Sequence, residues 1–163
     1  MGLLDPWWKY HHRDLEYVHE PFNNPADVDL WRGQGFTNAR FTGDMYDMRF
    51  AEPWWIQEFR EVLPMRNFSW SMYRMLPGDI MPRHSDTYAR FCQINDIADA
   101  RLVRRYVVFM EPWQSGHVFE IDDHIITDWQ AGSWVSWLGD VPHLAANIGS
   151  SVRYTLQLTG RDL

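Results

Sequence analysis

Three side chains of this sequence, two histidines and one aspartate, are of the types that bind a divalent metal ion. His84 and Asp86 lie two residues apart, just after a Pro-Gly turn, and His143 lies farther along the chain. Two imidazoles and one carboxylate can occupy one face of an octahedral Fe(II) ion and leave three positions open for a bidentate co-substrate and dioxygen. Because residues i and i+2 of an extended segment point the same way, His84 and Asp86 can reach one ion. The pattern predicts an iron site in which His143 comes from another strand.

An arginine, Arg153, follows His143 by ten residues and opens a segment that alternates polar and apolar side chains. An arginine that points inward from such a strand can bind the far carboxylate of a metal-bound co-substrate with two charge-assisted hydrogen bonds. A second His-x-Asp pair, His12-Arg13-Asp14, lies in a segment without a strand pattern and has no arginine ten residues on. The alternative for the first set is two surface histidines, a turn carboxylate and an arginine paired with a neighbouring acid.

The elements that must position these side chains are short strands, which begin near residue 68. Six segments have the alternation or the β-branched and aromatic content of strands. They are residues 70–75, 104–110, 116–121, 124–129, 133–138 and 152–158. Asp122-Asp123 separates the third from the fourth and predicts a hairpin. Short strands at this spacing are typical of an antiparallel sandwich or jelly roll.

The part of the chain before these strands has a different character. A proline opens the segment 53–63 and another stops it, while Trp55, Phe59 and Val62 fall on one helical face. We expect this helix to pack against a sheet. Residues 20–49 are rich in Gly, Pro and Asn, which predicts an irregular segment with one short strand.

The domain organisation follows from this change of character. A chain of 163 residues is of a suitable length for one soluble domain. We expect a single domain over 1–163, with a helical and irregular covering region at 1–67 and a β core at 68–160.

The order and spacing of the three candidate ligands and Arg153 resemble those of the Fe(II)- and 2-oxoglutarate-dependent oxygenases, in their prolyl hydroxylase-like and aspartyl/asparaginyl hydroxylase-like branches. The similarity covers about residues 68–160 and includes the Leu76-Pro77-Gly78-Asp79 turn before the first metal motif and the Arg104-Arg105-Tyr106 strand. The first 60 residues are not covered.

The resemblance implies a mainly β fold, an eight-stranded double-stranded β-helix (a cupin-like jelly roll). The helix pattern described above adds the expectation of one or two N-terminal helices packed on the sheet. The resemblance implies that His84, Asp86 and His143 are ligands of Fe(II). Arg153 would bind the C5 carboxylate of 2-oxoglutarate, and ascorbate would serve as a reductant. The segment 87–101 is expected to lie over the substrate.

Three further residues are implied as contacts of the co-substrate. Thr155 resembles the hydroxyl of an Arg-x-Ser pattern found in some members, and Tyr73 resembles the strand tyrosine that contacts 2-oxoglutarate in prolyl hydroxylases. Tyr106 is a second candidate for that tyrosine. The alternative for each is a core residue, because inward tyrosines and threonines are common in β-sandwiches.

The implied reaction is hydroxylation of a C–H bond, with conversion of 2-oxoglutarate to succinate and CO2. The substrate would be a peptide residue (prolyl or asparaginyl/aspartyl) or a small amino-acid-like molecule. Asp86 argues against a halogenase, and Thr159 stands where nucleic-acid demethylases carry a second arginine. The alternative is a non-catalytic cupin-like module that binds a metal or ligand, although such a module does not need a carboxylate-binding arginine.

Composition limits the partners. The 22 acidic and 15 basic residues give a net charge of -7, which disfavours binding to nucleic acid or to an anionic membrane. No apolar run is long enough to span a bilayer and the start lacks a signal-peptide pattern, so we expect a soluble cytoplasmic protein. The oligomeric state is not indicated.

Tryptophan is unusually frequent, with 10 residues in the chain. Trp129, Trp134 and Trp137 are expected to line the jelly-roll core or its cover. In the adjacent pairs Trp7-Trp8 and Trp54-Trp55, neighbours point to different faces, so we expect at least one of each pair to be exposed or to lie at a contact surface. Because these pairs and Trp31 precede the resemblance, we expect the first half of the chain to select the substrate.

Overall fold

The computed structural model describes residues 1–37 and 39–163. The described residues form two β-sheets with short helices around them. The strands are β1 (Gly2–Leu3), β2 (Val18–Glu20), β3 (Arg40–Phe41), β4 (Gly43–Asp47), β5 (Arg66–Met75), β6 (Asp79–His84), β7 (Val103–Phe109), β8 (His117–Ile121), β9 (His124–Ile126), β10 (Ser133–Leu138), β11 (His143–Asn147) and β12 (Arg153–Arg161). The helices are α1 (Pro25–Gly33), α2 (Ile56–Val62) and α3 (Ala89–Ile94), with 3-10 turns at His11–Asp14 and Ala100–Leu102.

The topology is that of a jelly roll, as expected. The seven-stranded sheet has the order β1-β10-β7-β12-β5-β4-β2, and the five-stranded sheet has the order β3-β6-β11-β8-β9. From β5 onwards the chain crosses between the sheets at nearly every step, so β5, β7, β10 and β12 face β6, β8, β9 and β11. Neighbouring strands are antiparallel apart from the β3–β6 pair. These eight strands are the double-stranded β-helix.

The seven-stranded sheet has two faces of different composition. We call the side that faces the five-stranded sheet the inner face and the opposite side the outer face. Trp70, Val108 and Leu156 lie on the outer face and pack against Ile56 and Phe59 of α2. Val107 and Phe109 lie on the inner face, in a cluster with Phe119 of the five-stranded sheet. Successive strand residues therefore alternate between two separate cores.

The six predicted strands are confirmed, with ends that differ by a few residues. The predicted hairpin is also confirmed, since Asp122 and Asp123 both have positive φ, at 44° and 63°, as a two-residue type I′ turn requires. The strands β6 and β11, which carry the candidate histidines, were not predicted from pattern. Pro82 and Arg83 interrupt the apolar content of β6, and β11 is short.

The prediction for residues 20–49 was wrong in part, because this segment contains α1 and two short strands. Asn24, which was interpreted as a turn former, caps α1 by accepting a hydrogen bond from the Ala26 amide, and Pro25 occupies the first turn. The same residue types begin helices and form turns, so they were ambiguous.

The predicted helix at 53–63 is confirmed as α2, and it packs against the sheet. Its buried face differs from the prediction, since Ile56 and Phe59 are buried whereas Val62 is 47% exposed. None of the helices in the part of the chain that the structure describes is long and apolar enough to cross a membrane.

Candidate metal centre and cavity

The three predicted metal ligands meet at one end of the five-stranded sheet. His84 ends β6 and pairs in register with His143, which begins the neighbouring β11, and their ring centroids are 4.4 Å apart. Asp86 follows β6 by two residues, and its two carboxylate oxygens each lie 3.9 Å from the Nε2 atom of one histidine. One ligand atom from each residue lies within 4.8 Å of the others. The group could hold one metal ion, and it is the one such group among the residues that the structure describes.

Backbone hydrogen bonds orient both imidazoles toward this point. The Nδ1 atom of His84 lies 2.8 Å from the carbonyl oxygen of Pro82, and that of His143 lies 3.0 Å from the carbonyl oxygen of Val141. Since a carbonyl oxygen only accepts, each Nδ1 must carry the proton and each Nε2 presents its lone pair to the centre. These partners are of the kind that metal-binding histidines need, and they fit the donor set of an Fe(II) site.

The electrostatics of the centre also favour a metal ion. Burial lowers the pKa of His143 to about 4, so this imidazole is neutral near pH 7. Burial alone would raise the pKa of Asp86, but Arg105 and the two histidines outweigh it and hold that pKa below its usual value. The centre therefore presents a neutral imidazole at His143 and an ionised carboxylate at Asp86, which are the forms that bind a metal.

The inner face of the seven-stranded sheet forms the wall opposite this centre. Its side chains from β5, β12 and β7 lie in rows set by the strand register. The rows are Ser69–Thr159–Arg105, Ser71–Gln157–Val107, Tyr73–Thr155–Phe109 and Met75–Arg153. Arg105 therefore lies in the first row, beside the metal centre, and Arg153 lies in the fourth row. Along the wall, the side chains become less polar from the row of Arg105 toward the row of Arg153.

Arg153 is buried in an aromatic pocket at the inner end of this wall. Its Cζ atom lies 5.6–5.9 Å from the ring centroids of Phe109, Phe119 and Trp129. One Nη donates to the sulfur of Met75 at 3.0 Å, and Nε has no hydrogen-bond partner among the described residues. Burial lowers the pKa of Arg153 to about 9. Among the described residues this buried guanidinium contacts aromatic rings and a thioether and no carboxylate, which suits a carboxylate ligand.

The structure brings Tyr73 and Thr155 together in the third row, between the metal centre and Arg153. Tyr73 lines the cavity, and burial raises its pKa to about 12, so its hydroxyl keeps its proton. Thr155 is buried on the same face. Among the described residues that line the cavity, Tyr73 is present, whereas Thr155 and Arg153 lie deeper on the same face and are not part of the lining.

Tyr106 is not brought to the site, and its assignment is corrected. It points to the outer face, where its ring lies 5.3 Å from that of Trp134. The reason is the period of the strand: odd-numbered residues of β7 point inward, so Arg105 and Val107 face the cavity side.

Arg105 lies in the candidate site and was not predicted to do so from the sequence. One Nη donates to Asp86 at 2.9 Å and the other donates to the side-chain oxygen of Gln157 at 2.7 Å. Its side chain is 14% exposed. The alternation of β7 could have indicated an inward Arg105, but the order of β7 and β12 in the sheet, which brings Gln157 near it, is visible only in the structure.

A cavity of about 650 Å³ opens beside the metal centre. Its walls include the three candidate ligands, the first rows of the inner face, Phe22 from the N-terminal part and the segment 87–91. The predicted position of 87–101 is thus supported for its first residues, among them Tyr88.

The early tryptophans divide between two places. Trp31 packs against Phe22 at 4.8 Å and lies 6.0 Å from the ring of His84, behind the cavity wall. Trp8 and Trp55 are buried in the outer-face core, so the structure does not bring them to the cavity. The expected exposure is confirmed for Trp54, which is 61% exposed, whereas Trp7 is half-buried against the outer-face core.

The second His-x-Asp pair is not a metal site. His12 is fully buried, and its Nε2 lies 2.8 Å from a carboxylate oxygen of Glu111, which also accepts from Arg13. This contact fastens the N-terminal segment to the end of β7.

Comparison with known proteins supports the fold. No family model matches the chain, and no curated protein matches it. The structure is similar to that of a Pseudomonas putida prolyl-4-hydroxylase, with a TM-score of 0.56, 18% identity, and coverage of 84% of this chain and 83% of that one. Cupin structures are also similar, such as a cupin domain of an XRE family transcriptional regulator from Enterobacter cloacae (TM-score 0.44, 18% identity, 73% and 96% covered) and a predicted oxalate decarboxylase from Thermotoga maritima (TM-score 0.44, 12% identity, 72% and 79% covered). At 18% identity the likeness to the prolyl-4-hydroxylase concerns the fold alone and agrees with the jelly-roll topology.

Proposed function

We propose that this protein is an Fe(II)- and 2-oxoglutarate-dependent dioxygenase that hydroxylates a C–H bond of its substrate. The observation that carries the proposal is the combination of a two-histidine, one-carboxylate centre with a buried, carboxylate-free arginine on the facing sheet. A site for a metal alone would not need Arg153, whose burial without an acidic partner costs stability.

The residues divide the work as follows. His84, Asp86 and His143 would hold Fe(II), and Arg153 would bind the far carboxylate of 2-oxoglutarate. When both are bound, they supply the oxidising chemistry, in which one oxygen atom of O2 enters the substrate and the other enters succinate as CO2 is released. Tyr73 and Thr155 would donate hydroxyl hydrogen bonds along the co-substrate, and Arg105 fixes the orientation of the Asp86 carboxylate.

The substrate would enter through the cavity beside the centre. We propose a peptide residue, prolyl or asparaginyl/aspartyl, or a small amino-acid-like molecule. The similarity to a prolyl-4-hydroxylase concerns the fold and does not choose among these. The second candidate function is a non-catalytic cupin-like module, which the intact metal group would equally serve.

Succinate formation separates the two functions. The protein is incubated with Fe(II), ascorbate and 2-oxoglutarate, and succinate is measured together with metal-dependent binding of 2-oxoglutarate. We expect the wild type to bind 2-oxoglutarate and form succinate, and the His84→Ala variant to do neither. A wild-type protein that binds the metal but neither binds nor converts 2-oxoglutarate would establish the non-catalytic module instead.

A further inference from the structure

Three polar groups next to the metal centre are buried close to one another, with the Tyr88 hydroxyl near the other two, and none of them has a well-aligned hydrogen bond among the described residues. They are the Nε of Arg105, the hydroxyl of Tyr88 and the indole nitrogen of Trp137. Tyr88 and Trp137 are 7% and 6% exposed, and the Arg105 guanidinium lies 5.2 Å from the Tyr88 ring centroid. Buried donors are rarely left without an acceptor in native proteins, and such groups call for an explanation such as a ligand.

Arg105 retains donors for a further acceptor. A guanidinium has five N–H groups, and the described contacts use two of them, for Asp86 and Gln157. Arg105, Tyr88 and Gln157 all line the cavity, so these groups can meet a molecule that enters it. Because Arg105 touches the Asp86 carboxylate, a carboxylate bound to it would lie close to the metal.

The charges of the site point to the same kind of ligand. With Fe(II) and the two arginines counted against Asp86 and the two negative charges of 2-oxoglutarate, one positive charge is left in the buried site. Charged groups at the cavity rim do not supply the missing negative charge, because Glu20 pairs with Arg49 at 3.0 Å, and Asp27 and Arg90 have opposite signs. A ligand with one carboxylate would neutralise the site.

We propose that Arg105, with Tyr88 and Gln157, forms a binding site for a carboxylate of the substrate, held beside the reacting C–H bond. This rests on the proposed function and narrows its substrate class to molecules with a carboxylate near the reacting carbon, such as a free amino acid or an aspartyl side chain. Arg153 binds the co-substrate, and Arg105 selects the substrate. A prolyl residue inside a peptide has no such carboxylate and is disfavoured.

The test compares acids with their amides. The protein with Fe(II) and 2-oxoglutarate is screened with the free amino acids and their carboxamides, and with terminally blocked Gly-Asp-Gly against Gly-Asn-Gly. Stimulated succinate formation is one readout, and binding to the Zn(II)- and 2-oxoglutarate-loaded protein without oxygen is the other. We expect at least one acid to bind tenfold or more tightly than its amide; the free and peptide arms identify the source of the carboxylate. Equal binding of acids and amides, or binding by neither, overturns the inference.

Two variants assign the effect to this site. Arg105→Gln is expected to abolish the preference for the acid, and its metal content is measured alongside because Arg105 also contacts the Asp86 ligand. Loss of 2-oxoglutarate binding in an Arg105→Gln protein that is folded and still loaded with metal would show that Arg105 serves the co-substrate, which overturns the inference. Tyr88→Phe removes one hydroxyl and no charge, so it keeps the test valid if Arg105→Gln does not fold. The Tyr88→Phe variant should bind the acid more weakly and bind 2-oxoglutarate as the wild type does. If this variant keeps the wild-type preference for the acid, the proposed site is contradicted. The basal binding of 2-oxoglutarate by the wild type tests the proposed function separately.

Discussion

The two faces of the seven-stranded sheet come from the same strands and differ in nearly every physical property. On the outer face, Trp70, Leu156 and Leu158 meet α2 and the N-terminal aromatics in a dry core. On the inner face, the first row of side chains contains Arg105 with Ser69 and Thr159, and the last row contains the buried Arg153. The difference shows that one face supplies stability from burial, while the other accepts unpaired polar groups that a ligand can use.

The largest expected effect is at the metal centre. Asp86→Ala should abolish detectable metal binding and succinate formation, because it removes one of three ligands and leaves Arg105 without its acid. Metal content and succinate are measured on the folded protein. Since the outer face does not depend on this residue, the variant should still unfold cooperatively; retained metal binding would contradict the assigned ligand set.

The matched pair Trp55 and Trp54 tests the outer face. Trp55→Ala should lower the free energy of unfolding by about 3–5 kcal/mol, because Trp55 is only 1% exposed within the core. Trp54→Ala should change it by less than about 0.5 kcal/mol, since Trp54 is largely exposed. Chemical denaturation measures both. Metal affinity of the folded protein should stay at the wild-type value in each variant, and a selective loss of affinity would show that the faces are coupled.

Arg153→Met separates ligand binding from stability on the inner face. It should weaken 2-oxoglutarate binding by about 10- to 100-fold, equivalent to about 1.5–3 kcal/mol for a charge-assisted contact, and leave metal binding intact. The ligand-free protein should become no less stable, because the variant removes a buried charge without an acidic partner. Calorimetry and denaturation measure the two effects, with Arg104→Met on the outer face as the control. Loss of both metal and stability would indicate a folding role.

The pH dependence of Arg153 follows from its pKa of about 9 in the folded protein. In the unfolded chain this arginine has its higher, ordinary pKa and binds more protons above pH 9, so the contribution of Arg153 to stability rises as the pH increases through this value. Affinity for 2-oxoglutarate should fall above pH 9, where the guanidinium of the free site loses its proton. The Arg153→Met variant should lack this decline, and a wild-type affinity that is flat to pH 10 would contradict it.

The smallest expected effect concerns the contact that fastens the N-terminal segment. Burial alone would raise the pKa of Glu111, but hydrogen bonds from His12 and Arg13 lower it to about 2. The stabilisation by this carboxylate is thus complete above about pH 4.3 and is lost as the pH falls through 2. Glu111→Gln should cost about 1.5 kcal/mol at pH 7 and flatten acid unfolding in this window. The control is Asp162→Asn, which removes a more exposed carboxylate from its pair with Arg104 and should lower the free energy of unfolding by less. A larger loss for Asp162→Asn than for Glu111→Gln would contradict this prediction.

Much of the candidate site was predictable from the sequence, because its residues form two pairs with short, recognisable spacings along the chain. The spacing of His84 and Asp86 and the position of Arg153 after His143 carry their chemistry in the residue types themselves. Tyr106 could not be excluded in this way, since a one-residue difference in strand phase moves a side chain to the other face. Arg105 was missed because its role depends on Asp86 and Gln157, which lie 19 and 52 residues away in the chain.

The sequence by itself determined the β character of the chain, the order of its main strands, the helix at α2 and the residues able to bind a metal. Period-two alternation and turn residues act over a few neighbours, and so they can be recognised without the fold. Only the tertiary structure decided that Trp8 and Trp55 stabilise the outer face, that Arg153 is buried without an acid and that Arg105 lies beside the metal centre. These facts depend on which strands become neighbours, and that choice is made by the packing of the whole sheet rather than by any segment of it.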